Sequence, residues 1–226
     1  MPEFGNFIIV CGHYGCGKTN FSMNLAVRLT EEGRKVTMVD LDLVNPYFRT
    51  SDYAPVLEKK GIRLVAPVFA HSNLDLPAMP AEIETVFSIR DGTVIIDVGG
   101  DDAGATALGR YAGRIREMEG VQMLYLINRY RALTKSPEEA AALLREIETA
   151  CRLKATGVVN NSHLQNNTKA QDVEASMDFA RRTAELLSLP LVLTTAPRRL
   201  QEELSAKIPD LFPVDRYVTP PWEVMG

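Results

Sequence analysis

A chain of 226 residues, 46% hydrophobic and 24% charged, is long enough to bury one full core and too short for two independent domains of ordinary size. Its 25 basic residues stand against 29 acidic ones, a net charge of −4, so there is no broad positive field to draw nucleic acid or an anionic membrane. The three cysteines, Cys11, Cys16 and Cys151, are few and odd in number for so long a chain, which points to reduced thiols in the cytoplasm, and without a C-x-x-C or C-x-C pair they give little support to an intrachain metal or redox site. Residues 1–226 are therefore expected to form a single domain.

The first fifteen residues have no basic leader region, and the apolar run 7–11 is too short for a signal-peptide core or a membrane span. No later stretch reaches spanning length, so a soluble protein is expected. Residues 7–11 read instead as a strand, followed by a helical pattern over 18–32 that stops near Gly33. Further strands are predicted over 36–40, 63–66, 93–97, 121–128, 156–160 and 191–195. Most are continuous apolar runs, as expected of strands with helices on both faces. The segment 67–80, with Pro67, Pro77 and Pro80, reads as a long loop or a broken helix. A helix is predicted over 136–151, where Ser136 can cap, Pro137 suits the first helical position, and Glu138 and Glu139 favour the positive end of the dipole. Another runs from about 168 to 188 and stops before Pro190. This alternation predicts an α/β protein of three layers, α/β/α, around a mostly parallel sheet of about seven strands.

Between the first strand and the first helix stands Gly12-His13-Tyr14-Gly15-Cys16-Gly17-Lys18-Thr19, followed by Asn20. It satisfies G-x-x-x-x-G-K-[ST], the P-loop pattern. Glycines let the backbone fold into a concave nest of N–H groups, and the helix behind adds the positive end of its dipole. Lys18 brings a mobile cation to the β- and γ-phosphates of a nucleoside triphosphate, and the Thr19 hydroxyl is suited to Mg²⁺. Two more strands end in carboxylates: one at Asp40 and Asp42, the other at Asp97 before Gly99 and Gly100. Ligands of open parallel sheets collect at these strand ends.

With these three segments in this order, the chain resembles the MinD/ParA-like group of P-loop ATPases, which also includes the nitrogenase iron protein and several metal-insertion and amidoligase nucleotide domains. The resemblance implies the P-loop NTPase fold, with ATP and Mg²⁺ as the bound species. By the same resemblance Asp42 lies in a first switch and acts on the attacking water, Asp97 is the Walker B carboxylate that holds Mg²⁺ through water, and 99–104 is a second switch. Asp40 faces the magnesium shell. Lys18 and Asp42 are thus the catalytic candidates, and Thr19, Asp40 and Asp97 the metal-side ones. Base recognition falls to Asn161, the better aligned of Asn160 and Asn161, and to backbone at Pro197 after the next strand. An N-K-x-D pattern for guanine is absent, which favours ATP over GTP.

Two departures stand out. Many members carry a lysine just after the first P-loop glycine that reaches a dimer partner's phosphates, and this chain has His13 there. Asp101 and Asp102 replace the residues that commonly follow the Walker B carboxylate, adding negative charge that a metal or an arginine must offset.

The leading expectation is a nucleotide-switched ATPase working as a nucleotide-dependent homodimer with a further protein partner. Alternatives of the same fold are a small-molecule ATP-dependent transferase or ligase, and a metallochaperone ATPase with Cys11 or Cys16 paired across a dimer. Nucleic-acid and membrane roles rank last. The tail 215–223 is broken by prolines and near neutral, and Arg181, Arg182, Arg198 and Arg199 read as a solvated face.

Overall fold

The computed structural model describes residues 2–42, 53–66 and 81–218. The expected loop at 67–80 and the tail beyond 218 lie outside these residues. In chain order the elements are β1 Phe7–Gly12, α1 Lys18–Glu31, β2 Val36–Leu41, α2 Ala54–Lys59, β3 Arg63–Val65, α3 Ile83–Val86 and β4 Thr93–Val98. There follow α4 Asp102–Gly109, α5 Ala112–Arg116, β5 Val121–Ile127, α6 Pro137–Cys151, β6 Gly157–Asn160, α7 Ala170–Ala175, α8 Met177–Leu187, β7 Leu191–Pro197, α9 Gln201–Leu204 and β8 Leu211–Val214.

The strands form one sheet in the order β3-β2-β4-β1-β5-β6-β7-β8, and every adjacent pair is parallel. β1 shows why three layers form. Its residues are all buried, but alternate side chains enter different cores: Phe7, Ile9 and Cys11 join one with α4, α5, α6 and α8, while Ile8 and Val10 join the other with α1. Each large apolar side chain so buried contributes about 1.5–3 kcal/mol, so the central strands hold the fold and the loops at their ends are left to carry chemistry.

The expected α/β fold around a parallel sheet is present, and two details differ. The described sheet has eight strands rather than about seven, because β8 pairs along β7 and puts Pro213 opposite Ala196. A proline is tolerated in a strand with one open side, and that same proline hid the strand in the sequence. The helix expected over 168–188 is two helices, α7 and α8, parted at Ser176. The buried Ser176 hydroxyl donates to the Val173 carbonyl at 2.7 Å and accepts from Asn160 Nδ2 at 2.9 Å, so the break is tied to the end of β6.

The capping expected at residue 136 is present in full. Ser136 Oγ accepts from the Glu139 N–H, and the Glu139 carboxylate accepts from the Ser136 N–H at 3.0 Å. Ser136→Ala is expected to lower stability by about 1 kcal/mol. Urea unfolding checks this; a cost near zero would mean that solvent satisfies those amides as well as the cap does.

Candidate functional site

In so apolar an interior the buried polar side chains stand out, and several lie at the carboxyl ends of the central strands: Lys18, Asp40, Asp97, Asn128, Asn160 and Asn161. β1 ends at Gly12, with φ 150, where a β-carbon would stand 2.5 Å from the Leu126 carbonyl oxygen. The chain then loops back and enters α1 at Gly17, which has φ 93. A β-carbon at Gly17 would lie 2.5 Å from Asn161 Nδ2, so close approach and a left-handed backbone both require glycine.

α4 and α6 begin with side-chain caps from Asp101 and Ser136, whereas α1 has no side-chain cap and no acid in its first turn. The N–H groups and dipole of a fourteen-residue helix are thereby directed at whatever occupies the loop, and an anion is what they stabilise.

Facing that positive end are the carboxylates. β2 and β4 place Asp40 beside Asp97 in register, and both are almost fully buried. The Thr19 hydroxyl donates to Asp97 Oδ2 at 2.7 Å, and Ser22 Oγ donates more weakly to Oδ1 at 3.4 Å. Asp40 Oδ1 accepts from the Asp42 N–H at 2.9 Å, which fixes the turn leading out of β2. Lys18 Nζ donates to the His13 carbonyl at 3.1 Å, bridging its own loop. Buried carboxylates side by side, with a hydroxyl beside them, are groups that a divalent cation near Thr19 would stabilise. Mg²⁺ commonly takes only one or two protein oxygens, with phosphates and water completing its shell, so this donor set fits it. The loop, Lys18, Thr19 and Asp42 line a cavity of about 760 Å³, within the range of small-molecule sites, with Asp40 and Asp97 buried outside its lining.

Over residues 7–196 the sequence matches the CobQ/CobB/MinD/ParA nucleotide binding domain. The chain belongs to that family. It is a nucleotide-binding P-loop protein, and its sheet and helices are those of the α/β P-loop NTPase fold. No curated protein sequence matches the chain. Among solved structures it is similar to the signal recognition particle 54 kDa protein of Aeropyrum pernix K1, solved with GDP, at 16% identity and a TM-score of 0.58, covering 86% of this chain and 42% of that one. It is also similar to FlhF complexed with GTP and Mg²⁺, at 12% identity and a TM-score of 0.56, covering 86% and 66%. A third is the receptor FtsY of Elizabethkingia anophelis, solved with GDP, at 16% and 0.54, covering 86% and 58%. The chain thus spans less than two thirds of the length of each, and identities this low speak for the fold alone.

Within this CobQ/CobB/MinD/ParA domain the expected site residues fall into distinct places. Tyr14, Gly15, Gly17, Lys18, Thr19, Asn20, Asp42, Asn161 and Pro197 line the cavity. Asn161 is committed more deeply than a base reader alone: its Nδ2 donates to the Cys16 carbonyl at 2.6 Å and its Oδ1 accepts from Thr195 Oγ1, bracing the loop and leaving one N–H and one lone pair of its amide. Asn20 looks away from the loop. Its amide accepts from the Tyr217 N–H at 2.8 Å and donates to the Asp215 carbonyl at 3.0 Å, fastening the C-terminal segment over the cavity. His13 Nδ1 lies 2.8 Å from the Tyr14 carbonyl oxygen at the crest of the loop. Asp101, whose charge raised the question of repulsion, spends its carboxylate on the Gly104 N–H at 2.8 Å as the cap of α4. Cys11 and Cys16 are about 1% exposed, and burial pushes both thiols up from their ordinary range. Neither is placed to share a metal thiolate site across a surface.

Not foreseen from the sequence are Ser22, one turn into α1 and bonded to Asp97, and Arg131 and His163, which tertiary packing brings to the loop. His163 Nδ1 accepts from the Gln165 N–H at 3.1 Å, so in the neutral ring the proton sits on Nε2, the atom nearest Gly17. Burial, and secondarily the Arg131 charge, lower its pKa to about 4. The unfolded chain protonates this ring near pH 6.5 and the folded chain only near 4, so between those values the unfolded state binds more protons and stability falls as pH falls. His163→Gln is expected to remove a loss on the order of 1 to 3 kcal/mol between pH 7 and pH 4.5. Urea unfolding at the two pH values measures it; an unchanged pH loss in the variant would contradict the assignment.

Proposed function

We propose that the whole chain acts as one Mg²⁺-dependent ATPase unit in the cytoplasm, using hydrolysis as a switch that times contact with a protein partner. The observation that carries this reading is the Thr19–Asp97 hydrogen bond at the foot of an uncapped helix, with Lys18 beside it. Lys18 would hold the β- and γ-phosphates, and the loop N–H groups would hold their oxygens without reorganisation. Thr19, with Asp97 and Asp40 behind it, would hold Mg²⁺, whose contribution when bound is to neutralise charge developing on the phosphates. Asp42, on the cavity wall at the end of β2, would orient and deprotonate the attacking water.

The switch reading has its own support. A β-carbon at Gly100 would lie 2.6 Å from the Tyr14 N and 2.8 Å from Lys18 Nζ, so the segment after β4 rests on the P-loop and must respond to what Lys18 binds. Around the same end of the sheet Tyr14, Leu133 and Leu164 are 51%, 64% and 41% exposed. Exposed apolar side chains beside a nucleotide cavity suit a surface covered by another chain. A homodimer closing over the loop, with His13 near the partner's phosphates, fits that face. A second reading takes guanine as the base, as in the similar structures solved with GDP and GTP; the missing N-K-x-D pattern supports adenine.

Calorimetric titration of the parent with Mg–ATP and Mg–GTP analogues separates the two, with tighter ATP binding expected. Lys18→Ala is expected to weaken that binding about 10- to 100-fold. Asp42→Ala is expected to bind normally and release phosphate about 10²- to 10⁴-fold more slowly. Tighter GTP binding would make the protein a GTPase, and full-strength binding by Lys18→Ala would remove the phosphates from this loop.

A further inference from the structure

We propose that Arg131 is a second phosphate-binding cation of this site, its guanidinium gripping the phosphate chain from the Gly15 side of the loop while Lys18 approaches from the Gly100 side. The inference rests on the nucleotide reading of the site and adds to it a residue outside the P-loop and the carboxylate-bearing strand ends.

Three observations carry it. Among the described residues, Arg131 Nε is the one buried side-chain nitrogen or oxygen without a hydrogen-bond partner. A buried N–H on a permanent cation is costly to leave unpaired, so its position calls for an acceptor. The guanidinium is also in the right place: a β-carbon at Gly15 would lie 3.6 Å from Arg131 Cζ and 3.7 Å from Nε, so the group lies in van der Waals contact with the middle of the loop and forms part of the cavity wall. Finally, the backbone that carries it is fixed. The Arg131 N–H donates to the Asn128 carbonyl at 3.1 Å, Thr134 Oγ1 donates to the same carbonyl at 2.9 Å, and the buried Asn128 side chain accepts from the Tyr130 and His163 N–H groups at 3.0 and 3.3 Å.

The other arginines around the cavity are spoken for, which sharpens the contrast. Arg198 is bidentate to Asp215, and Arg199 donates to the carbonyls of Asn166 and Thr168. Arg216 donates to the Val218 carbonyl, and Arg129, on the same turn as Arg131, donates to the Ala175 carbonyl. Arg131 instead has its guanidinium against Gly15 of the loop, and a planar fork with several donors is suited to paired phosphate oxygens. The ligand class is a polyphosphate, with the contact supplied by this chain rather than by a partner.

The test compares the parent with Arg131→Gln and Arg131→Lys, each first shown to unfold at the parent temperature. Titration uses the Mg²⁺ complexes of non-hydrolysable ATP and GTP analogues, the diphosphates ADP and GDP, and the nucleosides adenosine and guanosine. Arg131→Gln is expected to weaken the preferred triphosphate and diphosphate about 10- to 100-fold while leaving the nucleoside unchanged, and Arg131→Lys to recover part of the loss. Should the glutamine variant destabilise the fold, the lysine variant, which keeps stem and charge, is read alone and is expected to weaken the diphosphate a few-fold. Parent-like affinity in both variants, or an equal loss for the nucleoside, overturns the proposal. If Lys18→Ala loses binding while the Arg131 variants keep it, the inference fails and the nucleotide site stands. A parent that binds none of the phosphates sinks both.

Discussion

The hydrogen bond from Thr19 to Asp97 is the contact on which the rest of the site depends. It joins the first turn of α1 to the carboxyl end of β4 through two residues 78 positions apart in sequence, and so sets the P-loop against the buried carboxylates. Its worth is positional rather than thermodynamic. One net hydrogen bond adds only about 1 kcal/mol, or up to about 3 kcal/mol when its acceptor is charged, against strands whose apolar side chains contribute several times that. With the weaker bond from Ser22 to the same carboxylate, it registers the positive end of α1 against the carboxyl ends of β2 and β4.

Strand order gives the site two halves. β1 lies between β4 and β5, and the chain departs to one side through β2 and β3 and to the other through β5 to β8. This is a switch point of an open parallel sheet, where a crevice must form at the strand ends. The β4 side supplies carboxylates and hydroxyl oxygens suited to a metal. The β5 and β6 side supplies Asn161, His163 and Arg131, which brace the loop and keep one ring neutral and one cation permanent beside it. A polyanion with a bound cation matches that division of charge. The C-terminal segment, held by Asn20 and Asn24, closes a third wall.

What the sequence made legible was local. The P-loop, the strand-end aspartates and the Ser136 cap are each written within a few consecutive residues, and the structure places them where spacing and periodicity imply. What stayed hidden depends on distant partners. Asn20 follows the P-loop and so reads as part of it, yet its amide serves residues nearly two hundred positions later. Ser176 reads as an ordinary helical serine until Asn160 is found beside it. Arg131 lies between two turns of no special composition, and only the packing of the β5 turn against Gly15 gives its guanidinium a reason to be there. Pro213 suppressed β8 because periodicity does not reveal which strands have an open side.

Backbone hydrogen exchange is the decisive measurement, because main-chain N–H groups are proposed to hold the ligand as much as side chains do. The chain would be followed with and without Mg²⁺ and a non-hydrolysable triphosphate. Slowed exchange concentrated at residues 14–19 and at Gly99 and Gly100 is the result expected from an uncapped helix start closed by the segment after β4. Unchanged exchange over 14–19, with protection appearing elsewhere in the chain, would contradict it.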